Sequence, residues 1–125
     1  MHGARVVQNE VLSKVKSDNL TVFVVWVKVL PKDSAETAKE AARIISDTRA
    51  KQYWDGSWAS ADPFAKTVVL PEQKTRAWDI YFAYNSGLEW RELPPKPTEW
   101  AHQLGLDNRH LMDGKRLREA VSKLK

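Results

Sequence analysis

The stretch from Thr21 to Leu30, which reads TVFVVWVKVL, constrains the fold more than any other part of the chain. β-Branched and aromatic residues fill nearly every position, so an extended segment here has no polar face. A buried helix segment has a similar apolar run, but this one is short, rich in valine and closed by Pro31, which favours a strand. We therefore predict an interior strand that helices cover on both faces.

Helical and extended patterns alternate on either side of this strand. Apolar residues recur at helical spacing in 4–16, and a carboxylate cap at Asp33 opens a second helix that runs to about Thr48. The other predicted elements are a strand 50–54, a helix from Asp62-Pro63 to Val68 or Val69, a strand 77–84, a short return at 88–91, a polyproline-like spacer 93–97, a turn of helix from Thr98 or Glu99 to Leu104 and a last helix capped by Asp113. This order predicts one α/β domain over residues 1–125.

The composition excludes several classes of protein. Apolar residues make up 42% of the chain and charged residues 29%, which is typical of a globular domain. The longest apolar run, Val22 to Val27, is too short to span a membrane, and 1–16 contains no signal-peptide core, so we expect a cytoplasmic protein. Cysteine is absent, which excludes disulfides, thiol nucleophiles, cysteine zinc sites and dithiol redox chemistry by this chain.

The net charge of +4 is concentrated near the C-terminus. From Arg109 onward, basic residues outnumber acidic ones, with Asp113 and Glu119 the only acids. A basic helix of this kind is either the solvated face of a terminal helix, which we favour, or a contact surface for nucleic acid.

The six tryptophans are the most prominent candidates for a binding site. Trp26 and Trp78 lie within predicted strands and are most simply core residues, whereas the other four lie in turns or irregular segments. If several converge, they form an apolar or stacking groove for a ligand or peptide. The candidate ligand-binding residues are Trp54, Trp58, Trp78, Asp79, Trp100 and His102.

Asp79 is included because it lies within an otherwise apolar predicted strand, where a carboxylate needs a partner. Lys28, Arg76 or His102 is a candidate partner, and a structural ion pair or an exposed position is favoured over acid–base catalysis. No metal-ligand spacing, phosphate-binding glycine motif or nucleophile motif occurs. We therefore nominate no catalytic residue, no metal site and no cofactor.

Several stretches resemble the thioredoxin-like fold, in particular its peroxiredoxin-like and thiol-disulfide oxidoreductase branch. These are GARVVQNEVLSKVK, VFVVWVKVL, DPFAKTVVL, AWDIYFAY and DGKRLREAVSKL, and VVWVKVL, YWD, AWDIYF and WAHQLG further resemble an uncharacterised bacterial group. The resemblance covers nearly the whole chain. It implies a three-layer arrangement in which helices flank a central mixed sheet.

The chain departs from that family at two places. The family's first core strand and its CxxC motif would lie before or around Met1, and Thr75-Arg76-Ala77 occupies the place of the family's cis-proline, with Pro71 several residues earlier. These departures remove the redox chemistry that the resemblance otherwise implies. A sheet without its first core strand has unpaired edges, so we expect a rearranged sheet or a homodimer that closes it.

Three functional hypotheses follow. The first is a non-catalytic thioredoxin-like domain that binds a protein or peptide through an aromatic surface, or that is a remnant of a larger redox protein. The second is a small-molecule-binding protein or enzyme with a pocket around Trp54, Trp78, Asp79 and His102, in which Asp79 and His102 act as an acid–base pair. The third, ranked last, is nucleic-acid binding through the basic C-terminal helix.

Overall fold

The computed structural model describes residues 1–68, 70, 76–105 and 108–125. This part of the chain is a mixed α/β structure with four helices and two small sheets. The elements are α1 (His2–Val6, continued by a wide π-helical segment Val7–Leu12), β1 (Val22–Val27), α2 (Ala35–Ala42), β2 (Ala50–Asp55), α3 (Ala61–Ala65), β3 (Ile80–Ala83), β4 (Glu99–His102), a 3-10 turn (Asn108–His110) and α4 (Gly114–Ser122).

The strands form two separate two-stranded sheets, not the single central mixed sheet predicted from the sequence. β1 pairs with β2 in parallel, and β3 pairs with β4 in antiparallel orientation. Within the described residues no strand joins β1 to β3, so the two sheets remain separate.

One apolar cluster connects the two sheets to the helices. Its buried members come from the first helix and its C-terminal turn, from the segment after α2 and from α4: Val11, Leu12, Val15, Ile45 and Leu117. Val22 and Trp26 of β1 and Tyr81 of β3 pack against this cluster. The apolar spacing predicted for the first helix is therefore confirmed, although the helix begins at His2 and ends at Leu12.

The interior-strand prediction for β1 is wrong in two respects. Successive side chains of a strand point to opposite faces, and here only one face is covered. Val22 and Trp26 pack on the core, whereas Phe23 and Val25 of the opposite face are exposed. The strand also has one neighbour in its sheet instead of two.

The second helix differs from its prediction at both ends. Ser34, not Asp33, is the N-cap, and it forms a reciprocal capping box with Thr37. The Asp33 carboxylate instead accepts hydrogen bonds from the backbone of Val29 and Leu30. α2 ends at Ala42, well before Thr48, and the Gln52 side chain donates to the carbonyl of Ala42.

The turn of helix predicted from Thr98 or Glu99 to Leu104 is also wrong, because Glu99–His102 is the strand β4. It pairs with β3 in the register Ile80 opposite His102 and Phe82 opposite Trp100. The predicted return strand at 88–91 does not form, and the strand that pairs with β3 is β4. β3 itself begins at Ile80 because Asp79 adopts a positive φ of 50°, outside the extended region.

The other predicted elements form with small shifts. β2 covers the predicted strand 50–54, and Asp113 caps α4 by accepting a hydrogen bond from Arg116 N. α3 ends at Ala65, short of the predicted Val68 or Val69. Val69 and the two positions compared with the family's cis-proline, Pro71 and Thr75, lie outside the described residues.

Candidate functional site: an exposed apolar sheet face

The face of the β1–β2 sheet that points away from the core is largely apolar and open to solvent. We call it the outer face, and it consists of Phe23, Val25, Val27, Lys51, Tyr53 and Asp55, which the parallel register places on one side of the sheet. Phe23 is 66% exposed, Tyr53 52% and Val25 40%. Single exposed apolar residues are ordinary, but three large ones on two neighbouring strands form a contiguous patch that is typical of an interaction surface.

The charged residues of the outer face differ in their availability. The Lys51 ammonium lies 5.8 Å from the centre of the Phe23 ring, in cation–π geometry, and its side chain is exposed. The Asp55 carboxylate accepts four hydrogen bonds, from the backbone N–H and hydroxyl groups of Ser57 and Ser60. Lys51 is therefore the charged residue of the outer face that a partner can contact, because the Asp55 carboxylate is already hydrogen-bonded within the chain.

The hydrogen bonds to Asp55 also decide its protonation. Burial of the carboxyl acts to raise its pKa, but the hydrogen bonds from Ser60 and then from Ser57 outweigh burial and hold the pKa well below its usual range. Asp55 therefore stays ionised throughout the physiological range and fixes the turn that connects β2 to α3. It is a structural anion, not a group that exchanges protons near neutral pH.

The strand β1 also has an open edge next to the outer face. Val22 N–H and Lys28 N–H donate to carbonyls of the β2 segment, at 3.1 and 3.2 Å. Alternate residues of a strand point their backbone groups to opposite sides, so the even-numbered residues of β1 face β2. Phe23, Val25 and Val27 consequently direct their N–H and C=O groups away from β2, where the described residues supply no partner strand.

The candidate residues Trp100 and His102 lie together on β4, with ring centroids 5.7 Å apart. His102 is fully buried, and its Nδ1 accepts a hydrogen bond of 3.2 Å from Leu104 N. Trp100 stacks on His110 at 4.0 Å, and His110 Nδ1 lies 3.0 Å from the Trp100 carbonyl. These contacts hold the C-terminal half of β4 in place. The His102 ring is buried, so a ligand in solvent cannot reach it.

The candidate residue Trp58 belongs to a different cluster. It has a positive φ of 66°, and the Arg76 guanidinium lies 4.9 Å from its ring centre. Arg76 also pairs with Asp62 at 3.3 Å. Trp54 is half-buried on the opposite face of β2 from Tyr53, and no ring contact joins Trp54 to Trp58 in the described structure.

Asp79 immediately precedes β3 and does not lie within the strand. Its carbonyl accepts a hydrogen bond from Gln103 N at 3.0 Å, and no ion pair in the described part links its carboxylate to Lys28, Arg76 or His102. Burial, followed by the nearby Asp79 charge, raises the pKa of Tyr81 far above its ordinary value. The half-buried Trp78 precedes Asp79 and makes no ring contact in the same part of the chain.

A shallow depression of about 240 Å³ lies on the described part of the chain, and it does not involve the candidate tryptophans. It is lined by Lys16, Asp18, Asp47, Thr48 and Arg49. The Arg49 guanidinium is already bonded to Asp47 and to backbone carbonyls. The depression is therefore polar, small and occupied with internal hydrogen bonds, unlike the apolar pockets that hold most small ligands.

The basic C-terminal segment makes several contacts within the chain. Arg116 donates to the carbonyls of Arg109 and Leu111, and Arg118 lies 3.5 Å from the Glu10 carboxylate. Lys115 lies 4.0 Å from Glu119. Much of the positive charge near the C-terminus thus fastens α4 and the preceding turn to the fold.

Sequence reasoning missed the outer face. The sequence predicts strands that contain Phe23, Val25 and Tyr53, but an apolar residue gives no local signal of whether a helix covers it. Among the described residues no group of three or more potential metal ligands converges, and none of the helices has the length and apolar character needed to cross a bilayer. No protein-family model, curated protein or solved structure matches the chain, so its functional interpretation rests on its own residues.

Proposed function

We propose that this chain is a protein- or peptide-binding domain that uses the outer face of the β1–β2 sheet. The observation that carries the proposal is the exposure of Phe23, Val25 and Tyr53 side by side on a sheet whose other face is packed. Aromatic residues are enriched where proteins bind one another, because they bury a large apolar area with little loss of conformational entropy. Lys51 adds a positive charge beside this patch, which favours a partner that carries acidic residues near apolar ones.

The pocket hypothesis has less support. His102 is fully buried, Trp58 packs with Arg76, and no hydrogen bond or ion pair joins Asp79 to His102 in the part of the chain described. A pocket that uses Trp54, Asp79 and His102 together therefore requires a rearrangement of the β3–β4 sheet. Nucleic-acid binding also has less support, since several basic groups near the C-terminus are engaged within the chain.

The thioredoxin-like interpretation is part of the proposal. It is supported by the chain order of helix, strand, helix, strand, helix, two antiparallel strands and a closing helix. It is also supported by the parallel pairing of β1 with β2 and by the shared core under both sheets. In this interpretation the domain keeps a helix-flanked scaffold but has no thiol chemistry, and its role is binding.

The proposal is tested by selecting ligands from a phage-displayed random-peptide library on the wild-type chain and measuring the affinity of the selected peptides by titration calorimetry. We expect the double variant Phe23→Ser/Tyr53→Ser to weaken binding at least tenfold, as expected when interface aromatics are lost. Leu88→Ser is the matched control, because Leu88 is equally exposed, at 51%, but lies outside the outer face. Equal affinities for the double variant and the control would contradict the proposal.

Salt dependence provides an independent check. Binding through the outer face buries mainly apolar surface, so the affinity should change little between low and moderate ionic strength. Nucleic-acid binding weakens steeply over the same range because counterions are released from the phosphates. A steep loss of affinity for single-stranded nucleic acid, together with no peptide binding, would favour the third hypothesis instead.

A further inference from the structure

The open edge of β1 lacks the features that usually prevent strands from pairing with other chains. Edge strands are normally protected by lysine, proline, a bulge or a covering element. All positions of β1 from Val22 to Val27 are apolar, and the first charge, Lys28, follows the strand. β2 differs, since it carries Lys51, Gln52 and Asp55. The edge of β1 is therefore the more favourable of the two for addition of another strand.

We propose that two copies of this chain pair through this edge, β1 against β1, in antiparallel orientation. A twofold axis perpendicular to a sheet makes two identical edges antiparallel and keeps the same face of both copies on one side. The pairing creates a four-stranded sheet in the order β2–β1–β1–β2. This inference concerns a different surface from the proposed binding face and does not depend on that proposal.

The direction of the backbone groups sets the register. Phe23, Val25 and Val27 direct their N–H and C=O groups outward, and residues with outward groups must lie opposite one another in an antiparallel ladder. The register that pairs all of them sets Val25 opposite Val25 of the second copy and Phe23 opposite Val27. Every outward backbone group of β1 then has a partner.

The charges at the two ends of β1 are complementary in this arrangement. The turn 17–19 that leads into β1 carries the exposed Asp18, and the exposed Lys16 precedes this turn. Lys28 and Lys32 are exposed in the segment that follows the strand. Antiparallel pairing brings Asp18 of each copy towards Lys28 and Lys32 of the other, whereas parallel pairing brings Asp18 towards Asp18 and the lysines towards lysines. Charge therefore favours the same orientation as symmetry.

Pairing also extends the outer face. The two Val25 side chains become neighbours across the new ladder, each Phe23 lies opposite Val27 of the other copy, and Tyr53 of each copy lies on the flanking strand. The exposed apolar patch then runs across both copies as one continuous surface. A dimer thus presents a partner protein with twice the apolar area of a single chain.

The test measures molar mass by light scattering after gel filtration, and the dissociation constant by sedimentation equilibrium. We expect the wild-type chain to form a dimer whose fraction rises with concentration. Val25→Pro removes an outward N–H but no hydrogen bond to β2, so it should weaken dimerisation at least tenfold. Val25→Thr, which keeps the N–H and the β-branched shape, is the matched control and should dimerise within about twofold of wild type.

A pair of charge variants tests the orientation and avoids the risk that proline prevents folding. Asp18→Lys and Lys32→Asp should each weaken the dimer about threefold, and the double variant Asp18→Lys/Lys32→Asp should restore it, because it exchanges the ends. A wild-type chain that remains monomeric up to about 1 mM would overturn the proposal. Equal dissociation constants for Val25→Pro and Val25→Thr would also overturn it. The same holds if the double variant Asp18→Lys/Lys32→Asp dimerises more weakly than either single variant.

Discussion

Replacement of Arg49 by alanine should be among the most destabilising single changes in this chain. Its guanidinium donates to the carbonyls of Leu12 and Val15 at 2.7 Å and of Ser17 at 2.9 Å, at the end of the first helix. The guanidinium also forms a bidentate ion pair with the Asp47 carboxylate, at 2.9 and 2.7 Å. The Arg49 side chain is only 17% exposed. Arg49 thus supplies donors to carbonyls that a helix end leaves without partners, and it joins the first helix to the start of β2.

The expected magnitude follows from these contacts. Leu12 and Val15 are buried, so their carbonyls are poorly reached by water, and each lost charge-assisted hydrogen bond costs about 1.5 kcal/mol. Loss of the partly exposed pair with Asp47 adds about 1 kcal/mol, and water replaces the donor at the exposed Ser17. Arg49→Ala should therefore lower the free energy of unfolding by about 3–4 kcal/mol, a large part of the stability of a small domain.

Urea unfolding followed by circular dichroism measures this change. With a slope of about 2 kcal/mol per molar urea, the midpoint should fall by about 1.5–2 M. The urea midpoint of Arg49→Lys should lie between those of the wild type and Arg49→Ala, because a single ammonium cannot bond three carbonyls and a carboxylate in the same fixed geometry. If Arg49→Ala unfolds within about 0.5 M of the wild-type midpoint, the assignment of Arg49 as the link between the first helix and β2 is wrong.

Two further predictions concern stability. The hydrogen bonds from Arg49 lower the pKa of Asp47 to about 2, so the stability that this carboxylate contributes is present above its ordinary pKa and is lost as the pH falls towards 2. Acid unfolding between about pH 4 and pH 2 should become less steep in Asp47→Asn, and an unchanged pH profile would refute the linkage. Gly114→Ala should lower stability by about 1–3 kcal/mol although alanine favours helices, because its Cβ would lie 2.8 Å from the Cβ of Glu10. Lys115→Ala, at an exposed neighbouring position, should be nearly neutral in the same thermal-unfolding assay.

Much of the local structure follows from patterns within short stretches. The spacing of Val11, Leu12 and Val15 identifies the buried side of the first helix, and Asp113 marks the start of α4. The apolar run identifies β1 as a strand. The candidate site could not be found in this way, because the exposure of Phe23 and Tyr53 depends on which elements pack against their sheet and not on their own sequence.

The errors have the same origin. Residues 100–104 have an acceptable helical pattern, but Trp100 and His102 are fixed in a strand by their pairing with β3, some twenty residues earlier. The end of α2 depends on the Gln52 side chain and on Gln8, which accepts hydrogen bonds from Ser46 N and Asp47 N. Gln8 and Gln52 lie outside this segment, so the sequence of the segment itself does not show where the helix ends.

The sequence by itself determined the α/β class, the apolar sides of the first and last helices, the position of β1 and the absence of thiol chemistry. Periodicity, capping and composition act within a few residues, so they can be read locally. Only the tertiary structure decided that β1 has one neighbouring strand, that one face of its sheet is open, and that Asp55 and Arg49 are committed to internal hydrogen bonds. Those features arise from contacts between segments that are distant in sequence. Such contacts contribute free energy only once the chain is folded, so no short stretch of sequence indicates them.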